Sequence, residues 1–257
     1  MNKINIAIII LLATLTCAFA QSPAPIRPPA TPLITHDPYF SIWATGDLLT
    51  DQPTKHWTGS NQPVTGLVRI DSKVYRFLGS SPAMADPSIE ALKQISLRIT
   101  PTRTIAAFEG AGIHLDLTFL TPALPDDLDV LSRPVTYVIW DARSIDGGRH
   151  KLSVYLDATA SLTVNRTNEQ RTAWSRTEAG RMRIAKLGAV DQRVLARSGD
   201  DLRIEWGYLF LAAAGNGVNT IGTTLEERAS YLSSLSLPES KDLDSPSSTV
   251  GRLTPLI

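Results

Sequence analysis

A mainly β fold, an antiparallel β-sandwich with one or two short helices, is what this 257-residue sequence predicts. Three observations carry that expectation. Apolar residues recur at every second position in run after run, the period of a half-buried strand. Turn-forming clusters punctuate the runs: Asp71-Ser72, Gly110-Ala111-Gly112, Asp146-Gly147-Gly148 and Ser198-Gly199-Asp200-Asp201. Ten or so short strands result, with no fixed-period repeat, and that pattern suits a sandwich better than a helical or a βαβ fold.

The elements follow in order. Residues 1–20 combine Lys3, a run of apolar residues at 4–15 and an Ala18-Phe19-Ala20 cleavage pattern before Gln21, which is the layout of a secretory signal peptide. The apolar run is shorter than the ~20 residues a membrane-spanning helix needs. Thr16 before Cys17 is not the small residue a lipoprotein signal carries there. Cys17 is the only cysteine, so cleavage leaves a chain without disulfide, thiolate ligand or cysteine nucleophile. Secreted or periplasmic localisation follows, with no membrane contact after cleavage. Residues 21–38 hold six prolines and read as an extended lead-in. The sandwich is expected over 39–257.

Within the sandwich, strands are predicted at 64–70, 73–78, 94–100, 103–108, 112–120, 135–140, 151–158, 181–187, 192–197 and 202–210. In 112–120, Ile113, Leu115, Leu117 and Phe119 oppose His114, Asp116 and Thr118; in 202–210, Leu202, Ile204, Trp206, Tyr208 and Phe210 are placed on one face. Asp86-Pro87 offers a cap and a first-turn proline for a short helix to about Lys93. Thr224-Leu225-Glu226-Glu227 has the form of a capping box for a second helix closed by Pro238. Residues 236–250 read as a loop, and the uncapped apolar end at Leu256-Ile257 reads as a truncated strand.

Charge and motifs narrow the function. Lys plus Arg and Asp plus Glu stand at 25 each, so no basic surface for nucleic acid is expected. G-x-S-x-G, P-loop and H-E-x-x-H motifs are absent, and Gly215-Asn216-Gly217 continues to Thr220 where a dinucleotide fingerprint needs glycine. His36, His56, His114 and His150 are scattered without zinc-like spacing, and no metal or cofactor is expected. Asp126-Asp127-Leu128-Asp129 lacks the calcium-loop pattern and reads as a solvated turn. Asn165-Arg166-Thr167 is a formal glycosylation acceptor.

Residues 36–59 are the unusual stretch. Tyr39, Phe40, Trp43 and Trp57 sit among His36, Asp37, Asp51 and His56 without strand alternation. Aromatic side chains with polar handles suit either a site for a small polar molecule or satellite packing at one end of the sandwich. Asp37, Tyr39, Trp43, His56 and Trp57 are therefore the candidate binding or interface residues. Asp37 and Asp51 are the carboxylates to examine for hydrolysis. No catalytic residue is assigned.

The segments PPATPLITHDPYFSIW, TKHWTG and PVTGLVRIDSKVYRFLG resemble the N-terminal region of the glutaminase A family. So do LTFLTPALPDDLDVLSRPVTYVIWD (117–141), DGGRHKLSVYLDA (146–158) and GDDLRIEWGYLFLAA (199–213), in the same order, and the likeness covers nearly all of 27–215. The resemblance implies exported proteins that hydrolyse L-glutamine to L-glutamate and ammonia. It also implies an N-terminal β-sandwich followed by a helical toroid, and the chain is expected to be truncated before that toroid. It implies no catalytic residue here. The chain on its own is then expected to be non-catalytic, packing on the toroid as its partner. The alternative is a carbohydrate-binding or glycoside-hydrolase-associated sandwich module.

Overall fold

The computed structural model describes residues 28–80, 89–215, 219–223 and 252–256. Fifteen strands are described: β1 (Thr31–Asp37), β2 (Phe40–Ala44), β3 (Lys55–His56), β4 (Val64–Ile70), β5 (Lys73–Leu78), β6 (Lys93–Thr100), β7 (Arg103–Gly110), β8 (Ile113–Leu120), β9 (Tyr137–Ser144), β10 (Leu152–Thr159), β11 (Thr172–Ala179), β12 (Met182–Ala189), β13 (Leu209–Ala214), β14 (Asn219–Thr223) and β15 (Arg252–Leu256). Helical structure among the described residues is one four-residue turn, α1 (Leu128–Leu131), and a 3₁₀ turn, Ala160–Thr163.

The strands form four sheets, and every pairing is antiparallel: β1-β2-β3, β6-β7-β8-β9, β11-β12-β13 and the five-stranded β14-β15-β10-β4-β5. The main core lies between the five-stranded and four-stranded sheets. Val64, Val68, Ile70, Phe77 and Leu156 from one meet Phe108, Leu115, Leu117 and Phe119 from the other, and Leu33 and Ile42 of the first hairpin close the layer. The Phe77 and Phe108 rings meet at 6.3 Å between centroids. Gly66 makes room for that contact, because a Cβ there would fall 2.2 Å from the Phe77 ring. Truncating either buried ring costs about 3–5 kcal/mol. The β11–β13 sheet joins through a smaller cluster in which Ala160, Ala185 and Leu187 pack with Trp174, Leu209 and Leu211.

Period-two reading located most strands, and in β8 the buried Ile113, Leu115, Leu117 and Phe119 share a face as expected. Four local expectations differ. Residues 192–197 are not a strand: the Arg193 and Val194 amides bond two residues back in tight turns, and Leu195 adopts φ 50°. Residues 202–208 are not a strand either, and β13 begins at Leu209. There the buried alternation is Arg203 and Glu205, while Tyr208 and Phe210 are exposed, so the assumed apolar face is inverted. The polar strand β11 went unpredicted. Of the helix expected at 86–93, residues 86–88 lie outside the described residues. The remainder is extended, because Arg76 and Leu92 exchange backbone bonds with 90 and 76, and Lys93 opens β6. The solvated turn expected after Pro125 is present and exposed, and it leads into a helical turn whose N-cap Asp127 accepts from the Val130 amide at 3.0 Å.

Thr31–Asp37, within the proline-rich stretch, is an edge strand, the position that tolerates Pro32. Arg252–Leu256 is hydrogen-bonded between β10 and β14. The predicted signal peptide and the capping box at Thr224 lie outside the described residues. Among the described residues no helix is long and apolar enough to cross a membrane.

Candidate functional site

The segment 36–59 folds as two short strands and their loops, and its polar groups converge on one backbone carbonyl. Asp37 turns the β1–β2 hairpin: its Oδ1 accepts from the amides of Tyr39 at 2.7 Å and Phe40 at 3.0 Å. That turn presents the Pro38 carbonyl. Trp57 Nε1 donates to it at 2.6 Å and His56 Nε2 lies 3.1 Å from it. A carbonyl can only accept, so Nε2 carries the His56 proton. Nδ1 is then the acceptor, facing the Thr58 amide at 3.3 Å with the Thr58 hydroxyl at 3.0 Å. His56 is buried, and burial holds its pKa below the ordinary imidazole value; the nearby Arg203 guanidinium acts in the same direction.

A second loop completes the corner. Tyr39 meets Trp206 edge-on at 5.3 Å, and its carbonyl accepts from the Ile204 amide at 3.0 Å. Arg203 is the hub. Its guanidinium reaches the Asn165 carbonyl through Nε at 2.9 Å and Nη2 at 2.6 Å, Ser60 Oγ through Nη1 at 2.7 Å, and the Asp201 carboxylate. Asp201 is held below the usual carboxylate range, first by the Thr58 hydroxyl and then by Arg203. One planar cation thus ties segments 56–60, 165 and 201–203 together.

Four of the five predicted residues, Asp37, Tyr39, His56 and Trp57, meet around Pro38. Trp43 does not join them. It pairs with Lys55 whereas His56 pairs with Ile42, so Trp43 and His56 face opposite sides of their strands. Its indole donates to Ser41 Oγ instead. Asp37 and Asp51 each cap a turn, Asp51 accepting from the Leu48 amide at 2.8 Å. The formal glycosylation acceptor Asn165 is buried, and its Oδ1 accepts from the Arg203 amide at 3.0 Å, so its carboxamide is not offered to solvent.

Sequence reasoning missed Arg203, Arg197 and Glu205. Beside the Arg203 hub, Asn165, Arg166 and the 197–202 loop line a cleft of about 340 Å³. Arg197 Nε donates to the buried Glu205 at 2.8 Å, and its Nη2 lies 3.4 Å from Glu169, which Arg166 also holds at 2.9 Å. The only local signal was the charged alternation Arg203, Glu205 within a run read as apolar. Among the described residues no group of three or more His, Cys, Asp and Glu side chains is arranged to hold a metal ion.

A domain of unknown function, DUF5127, matches residues 102–250, and a second, DUF4964, matches 13–87. The sequence is 32% identical to Glutaminase A from Aspergillus oryzae over 149 residues, 55% of this chain. The chain spans about a fifth of that relative, 21% of its length.

Proposed function

We propose that this chain, which belongs to the DUF5127 family, is the β-sandwich region of a glutaminase A-like amidohydrolase and has no turnover of its own. Hydrolysis of L-glutamine to L-glutamate and ammonia is then the work of a helical toroid that packs against the sandwich. The observation that carries this reading is the 32% identity to Glutaminase A. The polar geometry supports the division of labour: Asp37 and Asp51 serve as turn caps, and the His56 lone pair is taken by Thr58. The aromatic corner of Tyr39 and Trp57 is the surface we assign to contact with the toroid. Trp57, 56% exposed, is the side chain left for such a partner to cover.

Two measurements test this. Ammonia release from L-glutamine is compared for this chain and for a longer chain that carries it. Background release by the short chain and turnover by the long one are the expected results. Turnover by the short chain breaks the division of labour, and a silent long chain breaks the amidohydrolase reading. Export is part of the proposal, and N-terminal sequencing of the exported protein should begin at Gln21.

A further inference from the structure

We infer that the cleft beside the 197–202 loop is a binding site for a small zwitterion, a molecule carrying an ammonium and a carboxylate on the same carbon. Its volume of about 340 Å³ falls within the range of small-molecule sites. Its lining carries both signs of charge: Arg166 and Arg197 against Asp200 and Asp201.

The pairing around these groups selects the ligand. Glu169 sits against both lining guanidiniums, at 2.9 Å from Arg166 and 3.4 Å from Arg197. Glu205, almost fully buried, fixes the Nε edge of Arg197 at 2.8 Å. Both guanidiniums are thereby oriented before any ligand arrives, and each keeps donors beyond those bonds. Asp201 is committed to Arg203 and Thr58. Asp200 has no hydrogen bond or ion pair to any described residue and is exposed. It is the carboxylate left for an incoming cation.

The lining charges argue against simpler ligands. Arg166 and Arg197 stand against Asp200 and Asp201, two of each sign. A bare carboxylate is drawn to the guanidiniums but opposed by Asp200. A bare amine is drawn to Asp200 but opposed by the guanidiniums. A molecule with both groups satisfies each side at once.

The inference does not depend on the amidohydrolase reading, and its test involves no turnover. Chemical-shift titration of the full chain uses L-alanine, propionate and ethylamine, the last two being alanine without its ammonium and without its carboxylate. L-alanine should shift the amides of 198–202 and the Arg166 and Arg197 side-chain resonances saturably. The two single-charge probes should bind at least about tenfold more weakly, the scale of one lost charge-assisted hydrogen bond. Asp200→Asn and Arg166→Gln, both at exposed positions, should each weaken L-alanine by a similar factor without changing the melting temperature. Equal binding of propionate makes this an anion site and overturns the inference. So does the lack of saturable shifts up to the solubility of alanine, or retention of full affinity by both variants.

Discussion

His56 and His150 each fasten a loop to the sandwich, but with opposite charge logic. His56 is buried, its Nε2 proton goes to the Pro38 carbonyl and its Nδ1 faces the Thr58 amide, with a guanidinium nearby. Protonating Nδ1 would set donor against donor and a cation against Arg203, and the corner holds the ring neutral. His150 lies between two carboxylates, Nδ1 at 2.8 Å from Asp71 and Nε2 at 3.1 Å from Asp146. Those hydrogen bonds raise its pKa; Asp71 and Asp146 are held low first by the Lys151 and Gly148 amides they accept from and then by His150, Asp146 to about 2. This clasp joins the β4–β5 turn to the β9–β10 loop, and Gly112 passes so close that a Cβ there would meet Asp146 Oδ2 at 2.1 Å. The difference teaches that in this fold the partners of a histidine, more than its position on a loop, decide which protonation state holds the structure together.

The comparison breaks most forcefully at the Arg203 hub. Arg203→Met keeps an unbranched apolar stem but strips the Asn165 carbonyl, Ser60 and Asp201 of their shared donor. A loss of about 3 kcal/mol in denaturant unfolding is expected, because buried acceptors are left unsatisfied. A loss below about 1 kcal/mol would mean that the His56 corner is not tied through this cation.

The two tryptophans sharpen the outline of that corner. Trp43→Ala removes a half-buried indole on the face away from His56 and should cost about 2 kcal/mol, less than a fully buried ring. Trp57→Ala removes an exposed ring and one bond to a carbonyl that His56 still reaches, and should cost about 1 kcal/mol or less. Equal, large losses for both would return Trp57 to ordinary core packing.

Most strands were legible because side-chain alternation is local: β8 announces its buried face within eight residues, whereas the second half of β10 is buried on both faces. The aromatic segment was legible as unusual, and four of its five chosen residues do meet. The hub was not legible. Arg203 and Glu205 look like the solvent face of a strand whose apolar side is Leu202, Ile204 and Trp206. They turn inward because their partners, Asn165 and Arg197, lie 38 and 8 positions away in the chain. Long-range satisfaction of a buried charge leaves no periodic mark. The polar β11 escaped for a related reason: its place is set by pairing with β12 along all eight residues, not by an apolar face.

The next test swaps His56 for a neutral side chain that has one donor and one acceptor. His56→Gln can still donate to Pro38 and accept from Thr58, so at pH 8 the loss should stay near 1 kcal/mol. The wild-type folded state resists protonation at this ring, while the unfolded chain takes up the proton near pH 6.5. Wild-type stability therefore falls as pH drops below that value. The variant lacks this penalty. Its deficit in melting temperature should shrink between pH 7 and pH 5, and a deficit that grows on acidification would place the charged imidazole in the folded corner.

The smallest effect, and the reverse sign, is expected at the clasp. His150 has its pKa raised in the folded state, so its contribution is complete below about pH 6.5 and fades as pH rises through the folded value. Asp71 and Asp146 have theirs lowered, so their contribution is complete above about pH 4 and fades as pH falls toward the folded values, about 2 for Asp146. The clasp is therefore strongest between roughly pH 4 and 6.5, the interval in which the His56 corner weakens. His150→Gln should lower the melting temperature slightly in that window and leave it unchanged at pH 9. Because the two carboxylates are about half exposed, added salt should shrink the difference. Measuring His56→Gln and His150→Gln side by side from pH 4 to 9 gives two difference curves of opposite slope. Parallel curves would mean that one of the two rings has been given the wrong proton, and the salt response identifies which, since only the His150 pair is open to screening.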